Sequence, residues 1–192
     1  MAKLGVSEGV VEKQDSEIIG NLLRMQKVRV KDIMTPRMVV RLASEEQAIK
    51  AFYKSAGELP FSRIPLYEGK NNEHVSGYFL KAELLESLVL GKGDCHLSTI
   101  KRDIHAVHES LPISDMFDHF LEKREHIVLV VDEYGGMAGI VSMEYVMETL
   151  LGMEITDESD NTVDMQALAR KNWEQRARRI GLIEENAELP EP

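Results

Sequence analysis

The sequence predicts an α/β protein built of two similar units, each a strand–helix–strand–strand–helix repeat, packed as a pseudo-two-fold pair with a helix on either flank. Three observations carry that prediction. The first is an internal repeat: Gly77-Tyr-Phe-Leu-Lys-Ala-Glu83-Leu-Leu-Glu-Ser-Leu88 runs parallel to Gly139-Ile-Val-Ser-Met-Glu-Tyr145-Val-Met-Glu-Thr-Leu150. The second is an apolar run upstream of each copy, Arg63-Ile-Pro-Leu-Tyr67 and Ile127-Val-Leu-Val-Val131, followed by an acid and a turn. The third is the helical spacing of apolar residues before those runs. A unit of about 60 residues buries too little surface to stand comfortably alone, so two copies are expected to share their burial.

Taken in order, Asp15 to Gln26 carries Ile18, Ile19, Leu22 and Leu23, the stripe of an amphipathic helix leading into Val28-Arg-Val-Lys-Asp-Ile-Met34. Ser44 before Glu45-Glu46-Gln47 reads as a capping box opening a helix with Ala48, Ile49, Phe52 and Tyr53 on its apolar face. The strand Arg63–Tyr67, the turn Gly69-Lys-Asn-Asn72 and the strand from Gly77 complete the first unit, with a helix ending near Gly91. In the second unit Ser114-Asp115 starts a helix bearing Met116, Phe117, Phe120 and Leu121, and Glu133-Tyr-Gly-Gly136 turns between two strands. A last helix over Asn161 to Ile180 has Met165, Leu168, Ala169, Trp173, Ala177 and Ile180 in a stripe. The division expected is 1–27 linker helix, 28–93 first unit, 94–155 second unit, and 156–192 acidic linker with amphipathic helix.

Composition narrows the class. The 192 residues are 43% hydrophobic and 29% charged, ordinary for a soluble globular protein. The longest aliphatic run, Ile127 to Val131, is far short of the roughly 20 residues a membrane helix needs. The opening residues lack an apolar core and cleavage site, so no signal peptide is expected. Cys95 is the single cysteine and fits a reducing compartment. A net charge of −10 argues against nucleic-acid binding by the whole chain. The acidic stretch Glu154, Asp157, Glu158, Asp160 and Asp164 lacks calcium-loop spacing and reads as a solvated linker. The basic run Arg170 to Arg179 fits either lipid headgroups or packing within the chain or a dimer, with packing preferred.

Val30-Lys-Asp-Ile-Met-Thr-Pro-Arg37, Phe61-Ser-Arg-Ile-Pro65 and His126-Ile-Val-Leu-Val-Val-Asp-Glu-Tyr-Gly-Gly136 resemble the tandem CBS-domain (Bateman) module of the CorC/CNNM magnesium and cobalt transport, hemolysin-like family. The resemblance covers about Val28 to Glu154. It implies a cytosolic regulatory module on the cytoplasmic side of a membrane, an absent membrane domain in the same full-length protein, a homodimer, and an adenine nucleotide ligand, ATP or AMP, with or without Mg²⁺. Cys95 has no paired catalytic context and no serine motif resembles a nucleophile elbow, so no enzyme and no catalytic residue are expected, and the acidic charge leaves no nucleic acid partner expected.

The nucleotide-binding candidates are Met34, Thr35, Pro36, Arg37, Ile64, Pro65, Glu83, Ile127, Val128, Ile140, Ser142 and Tyr145. Ser142 ends a strand where a helix begins, so its hydroxyl and the helix N-terminus suit a phosphate, or it is simply an N-cap. Arg37 projects from the stiff turn after Pro36 and matches phosphate oxygens bidentately, or it pairs with a surface acid. Thr35 caps or contacts the ligand. Ile64, Pro65, Ile127 and Val128 border the clefts and sandwich an adenine ring, or they are core. The family's Gly-x-x-Thr-x-x-Asp pattern places an Asp on the ribose hydroxyls; here Tyr145 and Glu83 stand in that position, and Leu80 replaces the first copy's hydroxyl. Tyrosine lacks two-acceptor geometry. Tyr145 therefore stacks beside the nucleotide, covers the cleft, or turns into the core. A ligand-free dimerisation scaffold is the competing function. His105 and His108 lack partner ligands for a metal site, and none is expected.

Overall fold

The computed structural model describes residues 28–151 apart from 70, 71 and 73. The helices expected at Asp15–Gln26 and Asn161–Ile180, with the acidic linker and basic run, lie outside the described residues.

The chain opens with a one-turn helix α1 (Val30–Ile33), begun by a reciprocal bond in which the Arg29 amide donates to Asp32 Oδ2 at 2.8 Å. A two-residue strand β1 (Thr35–Pro36) follows. The first repeat comprises β2 (Ala43–Ser44), α2 (Ile49–Ala56), β3 (Arg63–Tyr67), β4 (Val75–Leu80) and α3 (Lys81–Val89). After a 3-10 turn at Leu97–Ile100 come β5 (Ala106–His108), α4 (Ile113–Lys123), β6 (Ile127–Val131), β7 (Met137–Ser142) and α5 (Met143–Leu151). Each repeat is the expected strand–helix–strand–strand–helix.

The strands form a three-stranded sheet β2-β3-β4 and a four-stranded sheet β1-β7-β6-β5. In each, the short first strand of the repeat pairs parallel to its neighbour and the hairpin is antiparallel. Both hairpins carry a register shift at the same place, Leu66/Tyr67 and Val130/Val131. The second hairpin turns on Asp132, whose Oδ1 accepts from the amides of Tyr134 (2.9 Å) and Gly136 (2.8 Å). That side chain mimics a backbone turn, and Gly135 supplies the positive φ of 79°.

Helix starts differ in detail from the sequence reading. Ser44 is no cap: it lies in β2 opposite Tyr67, and Ala48 is the extended residue before α2. The Ser44 carbonyl accepts from the Gln47 amide instead. Likewise α4 starts at Ile113 with Pro112 before it, one position ahead of Ser114. On the helix faces, Ile49, Phe52, Met116 and Phe120 are buried as the spacing predicts. Tyr53 and Leu121 point out, with 45% and 53% of their surface exposed.

Two cores lie under the helices. The first gathers Ile49, Phe52, Ile64, Leu66, Phe79 and Leu84, with the Phe52 and Phe79 rings edge to face at 5.5 Å. The second gathers Ile113, Met116, Phe120, Val128, Val130, Val141 and Val146. Each core also takes residues from the lead-in of the other repeat. Val30 and Ile33, ahead of the first repeat, are buried in the second core, and Leu97, ahead of the second, is buried in the first.

The exchange is symmetrical in its hydrogen bonds. The amides of Val30 and Lys31 donate to the carbonyls of Leu111 and Glu109, as those of Leu97 and Ser98 donate to Gln47 and Glu45. The Ile113 amide reaches Val28, and the Ile49 amide reaches Cys95. Thr35 pairs with Ile140, just as Arg102 bridges to Tyr78. The crossings need glycine. A Cβ on Gly139 would run into the Thr35 carbonyl oxygen, and one on Gly77 into that of Arg102.

Candidate functional site

Strand alternation divides the candidate residues between two faces of the sheets. Ile64 and Val128 are fully buried and belong to the helix-covered cores. Their neighbours face the other way. In the second sheet Ile127 lies opposite Ser142, and Ile140 is opposite both Leu129 and Thr35, so these five share one face. In the first sheet Pro65 is opposite Tyr78 and Arg63 is opposite Leu80. Ile127 and Pro65 are buried yet outside both core clusters. The Arg63 guanidinium crosses from this face to the other repeat, 3.3 Å from Glu144 Oε1 at the start of α5.

Met34, Thr35, Pro36 and Arg37 reach the second sheet through the exchanged lead-in, not through the first repeat. Thr35 is 7% exposed, and the Arg37 amide donates to the Ala138 carbonyl at 2.9 Å. Met34 packs against the second core. The Arg37 side chain is exposed and has no partner among the described residues. Ser142 is half-buried at the junction of β7 and α5, and its hydroxyl also lacks a partner among the described residues. Opposite Ala138, Arg37 stands four residues along the strand from Ser142, about 13 Å of rise. The two therefore address different parts of an extended ligand and not one phosphate. The first helical amide is already used, because Met143 N–H donates to the His126 carbonyl at 3.1 Å.

Tyr145 is half-buried and packs against the second core, with its carbonyl accepting from Thr149 Oγ1 at 2.8 Å. Of its three sequence-level options this is the inward one. Glu83, its counterpart in the first repeat, is held by Arg102: Nη2 lies 2.5 Å from Oε1 and Nε lies 3.3 Å from Oε2. That carboxylate pushes the Arg102 ionisation up from its ordinary value. Sequence reasoning missed Arg102, since nothing local marks a residue that acts across the lead-in exchange.

Two lysines near this pair are also engaged. Lys101 Nζ donates to Glu45 Oε2 at 2.7 Å, and Lys81 Nζ to the Leu59 carbonyl at 3.1 Å. Hydrogen bonds from Lys101 and Ser76 hold the Glu45 carboxyl below its ordinary value.

The histidines pair differently from their spacing. His108 Nδ1 meets Ser110 Oγ at 2.7 Å, while His105 and His119 both meet the carboxylate of Glu125, the latter at 3.2 Å. The carboxylate lies between the rings and bridges them. Among the described residues no group of three or more His, Cys, Asp or Glu is arranged to hold a metal ion. Nor is any described helix long and apolar enough to cross a membrane.

Comparison with known proteins agrees with this architecture. The family model for the CBS domain matches residues 97–152. A UPF0053 protein of Synechocystis sp. is 34% identical over 171 residues, covering 89% of this chain and 49% of that protein. The magnesium and cobalt efflux protein CorC of Escherichia coli K12 is 26% identical over 170 residues, 88% of this chain and 58% of that protein. The chain thus spans about half the length of these curated relatives. The solved CBS domain of a bacterial CNNM/CorC family Mg²⁺ transporter superposes with a TM-score of 0.75 at 26% identity, covering 81% of this chain and 94% of that one. The same domain in complex with ATP gives 0.68 at 27% identity, covering 74% and 99%.

Proposed function

Because the described residues form a tandem CBS module of the CorC/CNNM kind, we propose that this chain is the adenine-nucleotide-sensing, non-enzymatic regulatory part of a magnesium or cobalt transport or resistance protein. The observation that carries the reading is the state of the polar groups on the second sheet. Arg37 and Ser142 have no partner among the described residues, and they flank Thr35, Ile140 and Ile127 on the face turned toward the other repeat. An apolar strip with a hydroxyl at one end and a guanidinium at the other suits a flat base with a phosphate chain. A related domain is solved with ATP. Mg²⁺ would accompany ATP through the phosphates and needs no protein cage.

The mechanism is a population shift: the nucleotide favours one arrangement of the repeats and biases a membrane domain on whose cytoplasmic side the module sits. Its effect is bounded by its differential affinity for the two arrangements. Calorimetry with ATP, AMP and adenosine tests the reading. Arg37→Ala should weaken ATP more than adenosine, by about 1.5–3 kcal/mol per charge-assisted bond before solvent substitution. Equal losses for all three would mean that Arg37 acts through structure.

A second reading, a ligand-free dimerisation scaffold, is favoured by Tyr145 and by the engagement of Glu83 with Arg102. Both readings include a homodimer. Leu85, Val89 and Leu90 along α3 are exposed, an apolar face suited to a second copy. Sedimentation as a monomer at tens of micromolar (roughly where a weak dimer still shows) would defeat the dimer.

A further inference from the structure

We propose that the Arg102–Glu83 ion pair is a latch that shuts the first repeat's cleft to anions, and that releasing it creates a second anion-binding site on this chain. The inference deepens the nucleotide reading and rests on it for the class of ligand, an organic polyphosphate. It starts from the pseudo-two-fold equivalence of the lead-ins. Arg102 bridges to Tyr78 as Thr35 pairs with Ile140, and Glu83 stands in α3 where Tyr145 stands in α5. The second repeat therefore has a hydroxyl and a phenol at two positions where the first has a guanidinium and a carboxylate.

The guanidinium presents its donors as a fork, with Nη2 and Nε each aimed at a different oxygen of Glu83. A phosphate accepts that same fork. Glu83 thus fills the geometry an anion would take and adds a like charge that repels it. The side chains of Arg102 and Glu83 remain 50% and 31% exposed, so an anion from solution can reach them. Other cations on these elements offer no alternative, since Lys101 is held by Glu45, Lys81 by the Leu59 carbonyl and Arg63 by Glu144. Glu83 is the group whose removal frees the Arg102 fork and adds one unit of positive charge beside it. Being partly exposed, the pair is screened by salt, so the latch loosens as ionic strength rises.

The test uses the whole chain, ¹⁵N-labelled, titrated separately with pyrophosphate and ATP at low salt while the Arg102 Nε–H and the amides of residues 77–84 and 139–146 are followed. In the parent, both signals of the first repeat should stay still at concentrations that saturate Glu83→Gln. In Glu83→Gln, and in Glu83→Ala as a second release of the same charge, pyrophosphate should move Arg102 Nε–H and the 77–84 amides at least tenfold more tightly than in the parent. Adding Arg102→Ala to Glu83→Gln should abolish the new site. A parent whose Arg102 signal responds as readily as the variant's, or variants that stay folded and acquire no site, would overturn the latch. If ATP leaves the 139–146 amides unmoved, the nucleotide reading fails, while the pyrophosphate arm still decides the latch.

Discussion

Replacing Gly139 by alanine should loosen the lead-in from the second sheet. The new Cβ would meet the Thr35 carbonyl oxygen, with the carbonyl carbon at 3.1 Å and Met34 Sδ at 3.2 Å. A sulfur at the end of a flexible chain can swing aside, but a backbone carbonyl cannot. The segment Thr35–Arg37 must lift, straining its pairing with Gly139 and Ile140 and the Arg37 bond to Ala138. Two or three backbone bonds at a net of about 1 kcal/mol each agree with the general cost of overpacking, about 1–3 kcal/mol. Full detachment would also expose Val30 and Ile33, at about 1.5–3 kcal/mol apiece, so the segment should shift and stay attached. A loss of about 2–3 kcal/mol corresponds to a melting temperature lower by about 8–12 °C for a domain of this size. Calorimetry gives the first number, and hydrogen exchange at the Arg37 amide should rise in parallel. Gly135→Ala separates the two causes: it has open space around it, so alanine there meets only the backbone cost of its φ of 79°, about 1–2 kcal/mol, with no change in protection at the Arg37 amide. A Gly139→Ala protein melting within about 2 °C of the parent, with Arg37 still protected, would refute the reasoning.

Phe79→Ala should cost about 3–5 kcal/mol in denaturant unfolding, because Phe79 is fully buried and leaves the Phe52 edge without its partner ring. Arg41→Ala should cost about 1–2 kcal/mol, since its guanidinium donates to the carbonyls of Ala56 and Glu58 at the end of α2 and lies 6.0 Å from the Phe52 ring centre. Glu45, held below its ordinary value of 4.5 by Lys101 and Ser76, binds its proton more readily when unfolded. Its contribution is complete above that value and disappears as pH falls through the lower folded one, so Glu45→Gln should flatten the acid limb of a stability–pH curve. Tyr145→Asp, which restores a two-acceptor group, should tighten adenine ribonucleotide binding by roughly tenfold, about 1.4 kcal/mol, with little gain for 2′-deoxynucleotides. A folded variant that binds ribonucleotides no better would remove the second cleft as a ribose site.

The two repeats were legible because glycine crossings and helical apolar spacing leave long, regular traces. Gly77 and Gly139 stand in register because each is crossed by another segment's backbone, and that is a constraint on residue type. The crossing segments themselves leave no such trace. A one-turn helix at Val30–Ile33 and a two-residue strand at Thr35–Pro36 are too short to show a period, so their attachment to the second repeat could not be read. For the same reason Arg102 went unnoticed. The continuous runs Arg63–Tyr67 and Ile127–Val131 identify strands but not faces, because both faces are covered. Sorting Ile127 from Val128 and Pro65 from Ile64 required the pairing itself. Ser44 failed as a cap because its backbone was already committed to β3.

The exchanged lead-ins also set an order of events for the growing chain. Val30 and Ile33 lie among the first described residues to leave the ribosome, but their partners Val141 and Val146 emerge more than a hundred residues later. Until then the first segment has no sheet to join, and closing so long a loop makes its docking a late, non-local step. The first repeat faces a shorter delay, waiting for the lead-in from Leu97 to Arg102. A piece cut to the family-model match, residues 97–152, would never receive the early segment. It would carry β7 with an open hydrogen-bonding edge and a glycine notch that no backbone fills, a surface on which other chains can add strands.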